Sequence, residues 1–116
     1  MLIRRLTFLL LLALIGCNNA STGRLIWDPT EFGCDGTRVT GAVKYNVYGV
    51  PDVGQVIPVV VEDGTCGPIQ KPTISPLNFM PLTENSFLLP SGSWTLGVES
   101  IVNGKSSGVS ETISYK

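Results

Sequence analysis

Pro68, Pro72, Pro76 and Pro81 all fall within residues 62–85, and that stretch constrains the fold more than any other part of the chain. Each proline removes a backbone donor and clashes with the preceding turn of a helix, so neither a helix nor a long central strand can run through it. Short extended pieces such as Thr73-Ile74 or Asn78-Phe79-Met80 can still line a sheet edge. The flanking segments are β in character too. Leu25-Ile26-Trp27 reads as a short apolar strand stopped by Asp28-Pro29, and a loop with Gly33, Asp35-Gly36 and Gly41 follows. Val43, Tyr45 and Val47 alternate with Lys44, Asn46 and Tyr48, which puts the first three on one face of a strand. A turn over residues 49–54 leads to the more uniformly apolar residues 56–61, where Pro58 argues for a sheet edge. Beyond the prolines come Phe87-Leu88-Leu89, and then Trp94, Leu96 and Val98 alternating with Thr95, Gly97 and Glu99. Asn103-Gly104 is a hairpin signal. A last strand runs from about Val109 to Tyr115. No helical period and no internal repeat occur after residue 16. The pattern predicts an all-β sandwich of six to seven antiparallel strands.

The first 16 residues are different. Arg4 and Arg5 precede an apolar run from Leu6 to Leu14, and Gly16 stands before Cys17. A charged start, a short apolar segment and a small residue before the cut form a secretory signal. The apolar part falls short of the roughly 20 residues that a spanning helix needs. Leu14-Ile15-Gly16-Cys17 resembles a bacterial lipobox, in which the cysteine carries acyl chains, palmitate among them, and becomes the new N-terminus. That resemblance implies a signal peptide over residues 1–16, a lipidated Cys17 with its tether over 17–23, and one domain over 24–116. Asn18 follows the cysteine where a retention signal would place Asp, which by resemblance to lipoprotein sorting implies the outer membrane.

Removing the first 16 of 116 residues leaves 100, enough for one small domain. Loss of Arg4 and Arg5 leaves six basic residues against nine acidic ones, a net charge of −3. Nucleic acid is not an expected partner, and no basic cluster would hold an anionic membrane surface. Attachment to the membrane therefore falls to the lipid, and durable anchoring takes more than one acyl chain. Lipidation of Cys17 leaves Cys34 and Cys66. Two spare cysteines in an exported chain are expected to pair, the alternative being two separate thiols.

The domain resembles fibronectin type III. Leu25-Ile26-Trp27-Asp28-Pro29 is similar to the family's second strand, with its core tryptophan followed by proline, and Tyr45-Asn46-Val47-Tyr48 resembles its third. The stretch from Leu89 to Ser100 follows the family pattern of leucine, a proline-glycine turn, an aromatic corner residue and alternating apolar positions. Ser106 to Ser110 resembles the approach to the last strand. The resemblance implies an immunoglobulin-like sandwich with Trp27, Tyr45 and Trp94 as core aromatics. Two departures stand out. The corner residue is Trp94 instead of tyrosine, and an indole N–H can donate one bond to nearby backbone but cannot accept. The first strand is short or missing, since only nine residues separate Cys17 from Trp27. Either the tether or the proline-rich segment shields the Leu25–Trp27 edge, or that edge stays open to another chain. The same topology gives the disulfide its geometry. The strand over 43–48 leaves the Cys34 loop and the strand over 56–61 returns to that end, bringing Cys66 beside Cys34.

The chain contains no histidine, no closely spaced cysteine pair and no glycine-rich phosphate loop, so no catalytic set, metal site or cofactor is expected. Glu31, Asp35, Glu62 and Asp63 are read as solvated charge, the alternative being a calcium ion held where they gather at one end of the sandwich. Tyr48, Val50 and Val53 surround a turn expected to be exposed, which makes them the candidate partner-binding residues. Phe79, Met80 and Leu82 form an apolar group in the proline-rich segment, expected to pack on the sandwich, the alternative being a second contact surface. The chain is thus expected to be a lipid-anchored, non-catalytic binding module of the cell envelope, whose partner is another envelope protein or a glycan. The alternatives are a structural subunit docked by its sheet edge, or a phage- or plasmid-encoded exclusion lipoprotein.

Overall fold

The computed structural model describes residues 10–13, 23–51 and 54–115. Over these the chain is all-β, with nine strands in antiparallel pairs and no helix. In order they are β1 (Leu10–Ala13), β2 (Arg24–Trp27), β3 (Val43–Pro51), β4 (Val59–Gly64), β5 (Gly67–Pro72), β6 (Ser86–Leu88), β7 (Trp94–Val102), β8 (Lys105–Val109) and β9 (Ile113–Tyr115). The count exceeds six to seven because β1 and β5 lie in segments from which the sequence predicts no strand, and because the single last strand expected over about 109–115 is two, β8 and β9, separated by residues 110–112. Pro68 and Pro72 fit β5 because it belongs to a two-stranded ribbon with β4. Thr73 N–H donates to Pro58 O at 3.0 Å, so odd-numbered residues face the partner and the even-numbered prolines lose no ladder bond.

One sheet has the order β1-β2-β6; in the other β7 is central, with β3 on one edge and β8 followed by β9 on the other. Period-two alternation sends Leu25 and Trp27 from the first sheet, and Tyr45, Val47, Leu96 and Val98 from the second, into one core with Leu89 and Tyr115. Trp27 and Tyr45 meet edge to face, with ring centroids 5.3 Å apart. Tyr45 also accepts the Thr30 N–H on its hydroxyl (2.8 Å), which pins the chain leaving β2. Trp94 packs against this core from a partly buried position, and its Nε1 donates to Pro90 O at 3.1 Å. The indole N–H thus bonds backbone four residues upstream.

The proline-rich segment covers the free edge of β3, not that of β2. Tyr45 and Leu82 exchange both backbone bonds at 2.8 Å, and Leu77 N–H donates to Val47 O at 2.6 Å. The β2 edge carries β1 instead, with Leu10 against Trp27 and Ala13 against Arg24. Neither shield expected from the sequence is what lies there among the described residues.

The outward side of the β3–β7–β8 sheet is also covered. Thr95, Gly97 and Glu99 point away from the shared core yet are buried. A Cβ on Gly97 would lie 3.4 Å from Ile57 Cδ1, and Lys71 of β5 reaches Glu99. The β4–β5 ribbon and Ile57 thus form a further layer, held at its tip by the Cys34–Cys66 disulfide, whose Cα atoms are 6.1 Å apart. The sequence placed Cys66 beside Cys34 by the return of the strand that follows β3; in the fold β3 pairs with β7, and β4 pairs with β5.

Candidate functional site

Three places on the fold concentrate polar or exposed chemistry. The first is a buried charge between the sheet and the ribbon. Alternation along β7 points Glu99 outward, and alternation along β3 points Asn46 and Tyr48 to the same side. Glu99 is fully buried. Its Oε1 accepts from Tyr48 Oη (2.9 Å) and Asn46 Nδ2 (3.2 Å); its Oε2 accepts from Lys71 Nζ (2.6 Å) and Ser106 Oγ. Burial by itself would raise the carboxyl's pKa, but bonds from Lys71, Ser106, Asn46 and Tyr48 outweigh it and hold the group below its ordinary value. The Tyr48 hydroxyl moves the other way, pushed up by burial and then by the hydrogen bond and charge of Glu99. Each oxygen of the carboxylate is engaged and none reaches solvent, so the cluster clamps two layers together and offers no surface to a ligand.

This corrects the sequence expectation for Tyr48. It sits in β3, 5% exposed, because the ribbon that covers it was not foreseen. Val50 is half-buried in the same strand, and Val53 lies outside the described residues, as does Cys17.

The second place is a groove of about 860 Å³ at the disulfide end. A tight loop forms one wall: Phe32 bridges Arg38, Gly33 N–H donates to Thr37 O (2.8 Å), and Arg38 lies over the Phe32 ring at 4.8 Å. Thr37 N–H and Oγ1 both donate to Asp35 Oδ1 (3.0 and 2.7 Å), and these bonds hold that carboxyl below its usual range. The opposite wall is a bulge in β8, where the register slips between Glu99 and Ile101 of β7. Serine hydroxyls replace the lost ladder bonds there: Ser107 Oγ accepts from Ser100 N–H and Ser110 Oγ from Val98 N–H, each at 3.0 Å. Thr30 Oγ1, on a residue lining this groove, is buried without a partner among the described residues. Hydroxyls, apolar side chains of Ile69, Val109 and Ile113, and the charged Asp35, Lys105 and Glu111 line the groove, a mixed surface that suits polar hydrogen-bonding groups. The described residues gather no three metal-ligating side chains, so Glu31, Asp35, Glu62 and Asp63 do not converge.

The third place is the turn at Phe79-Met80. Phe79 is 98% exposed and Met80 64%, whereas the sequence predicts that both pack on the domain. Only Leu82 does so. The cause is Asn78, a buried residue whose Oδ1 accepts Val47 N–H (2.7 Å) while Nδ2 donates to Met80 O (2.6 Å) and Asn46 Oδ1 (3.2 Å). Asn78 takes a ladder position on the β3 edge and turns the next two side chains outward. Nothing in the sequence separates this apolar pair from a packed one except the asparagine before it.

Comparison with protein-family models, with curated proteins and with solved structures finds no match for this chain.

Proposed function

We propose that this chain is a lipid-anchored binding module of the bacterial cell envelope, an immunoglobulin-like sandwich that performs no catalysis and engages another envelope protein or a glycan. The observation that carries the reading is the Phe79-Met80 turn. A fully exposed aromatic on a turn braced by a buried asparagine loses little conformational freedom on binding, and such residues anchor interfaces. The hydroxyl-lined groove is a second contact surface, suited to polar groups. The lipobox resemblance of Leu14-Ile15-Gly16-Cys17 supports the anchor, and the six-residue tether over 18–23 keeps the domain within about 20 Å of the bilayer. Confinement to a membrane raises the local concentration against a membrane-bound partner without high intrinsic affinity.

Two measurements test this. Intact mass of the membrane-extracted protein should show an acylated chain beginning at Cys17; a water-soluble, unacylated product or a retained leader would overturn the anchor. Crosslinking in membranes should then capture a defined neighbour that is lost with Phe79→Ser. Capture that is indifferent to this change would remove the turn from the binding surface.

A further inference from the structure

In the uncut chain β1 covers the β2 edge opposite β6. Cleavage before Cys17 would carry β1 away, so any use of that edge by the mature protein rests on the processing proposed with the lipid anchor. Hydrogen-bond directions show what β1 satisfies. Trp27 N–H donates to Asn85 O (3.1 Å), and Gly23 O accepts from Leu89 N–H (2.8 Å), so residues 23, 25 and 27 turn their main-chain groups toward β6. Arg24 and Ile26 turn theirs toward β1. Once β1 is gone, the N–H and C=O of both are bare, beside the core residues Leu25 and Trp27.

We propose that the mature chain binds a second copy of itself through this edge, β2 against β2, antiparallel and centred on Ile26. A two-fold axis requires facing residues to share one side of the sheet, and this register meets the requirement. Ile26 faces Ile26 of the second copy, Leu25 faces Trp27, and Arg24 faces Asp28. The residues with bare main-chain groups, Arg24 and Ile26, then fall at hydrogen-bonded pairs, and Asp28 shares their parity. Leu25 against Trp27 continues one buried layer into the next. Arg24 and Asp28 bring opposite charges together twice. In the single chain, among the described residues, Arg24 Nη1 makes a long 3.4 Å contact to Ser86 Oγ, and Asp28 is exposed. Pro29 ends the pairing where the charge match ends. The two Gly23 residues emerge about 20 Å apart, and tethers of about 20 Å reach allow both lipids to enter one bilayer.

The test uses the acylated chain extracted in detergent and shown by mass to begin at Cys17. Sedimentation should report a dimer. Arg24→Asp or Asp28→Arg should each weaken association at least tenfold, with the thermal midpoint unchanged at dilutions where the native chain is monomeric, and the two together should restore association. Ile26→Cys should crosslink to itself on oxidation, since hydrogen-bonded partners sit about 5.5 Å apart, within bridging range. Cys17→Ala, which keeps the leader, should stay monomeric. A cleaved, acylated monomer overturns the proposal, whether its edge is bare, covered by its own tether or filled by a strand of another protein. So does a dimer indifferent to charge reversal or not restored by the double exchange. A retained leader overturns the anchoring reading and this one together, whereas a cleaved monomer overturns this one alone.

Discussion

Glu99→Gln removes one charge from the centre of the protein and leaves the volume unchanged. In the native cluster Oε2 accepts from Lys71 and Ser106, and Oε1 from Tyr48 and Asn46. A glutamine that keeps its oxygen toward Tyr48 presents an NH2 to Lys71. Ser106 can rotate its hydroxyl to accept, but an ammonium cannot. Lys71 is one-third exposed (34%), so its head group withdraws into water and the penalty falls short of that for stranding a buried charge. What disappears is a charge-assisted bond, about 1.5–3 kcal/mol. At about 2 kcal/mol, a domain of this size should lose roughly 8–16 °C in Tm. Lys71→Met leaves the carboxylate with neutral donors only and should cost about 3 kcal/mol. The double variant should lose less than the sum, with a coupling of about 1–3 kcal/mol. Thermal unfolding followed by circular dichroism at pH 7 checks all three. A shift below about 2 °C for Glu99→Gln, or strict additivity in the double variant, would refute the clamp.

Three further outcomes are expected from the same contacts. Glu99 has a native pKa below its unfolded value, so its contribution is complete above the ordinary carboxyl range and is lost as pH falls through the depressed native value; Tm should drop on acidification below about pH 4.5, and Glu99→Gln should flatten that dependence. Reducing Cys34–Cys66, which closes a separation of 32 residues, should cost about 3–4 kcal/mol, read as a fall in the urea midpoint with reductant and no change in a Cys34→Ser, Cys66→Ser double variant. Asn78→Ala leaves the Val47 N–H unpaired in a buried place and should cost about 1–3 kcal/mol; amide exchange should quicken at Val47 while the β7 interior stays protected.

The parts of the fold that were legible in the sequence are those governed by period two. Leu25, Trp27, Tyr45, Val47, Leu96 and Val98 enter the core as alternation requires, and each side of β3 and β7 is read off the same pattern. Residues 67–72 were not legible, because Pro68 and Pro72 break strand propensity and their even spacing matters only once the partner's direction is known. That one omission accounts for the misplacing of Tyr48: with nothing expected over the outer face, an aromatic near a turn looks exposed. Glu99 was the available clue. A lone carboxylate in the middle of a central strand, between Val98 and Ser100, demands a cation from somewhere, and Lys71 in the omitted strand supplies it. The Phe79-Met80 turn failed for the opposite reason. Apolar residues ordinarily pack, and only the four polar contacts of Asn78, drawn from residues 31–33 positions away and from Met80, decide that these two do not.

These contacts distribute rigidity unevenly. The β3–β7–β8 sheet is braced on its free edge by residues 77–82, on its outer face by the ribbon and Glu99, and at one end by the disulfide. The β2–β6 pair has none of these supports, and on the proposed processing it also loses β1. The remaining pair keeps its core face through Leu25 and Trp27 but has a bare outer edge, and it is the element joined directly to the tether. The most weakly held strands and the anchor thus lie together, while the rigid sheet holds Phe79 and the groove on elements that cleavage leaves untouched. Local opening should therefore concentrate at Arg24 to Trp27 in the processed monomer and be suppressed there in the dimer. Amide exchange at Ile26, fast in one state and slow in the other while Leu96 and Val98 stay protected in both, is the expected signature; equal protection of Ile26 in the two states would show that completing the β2 edge is not what pairing accomplishes.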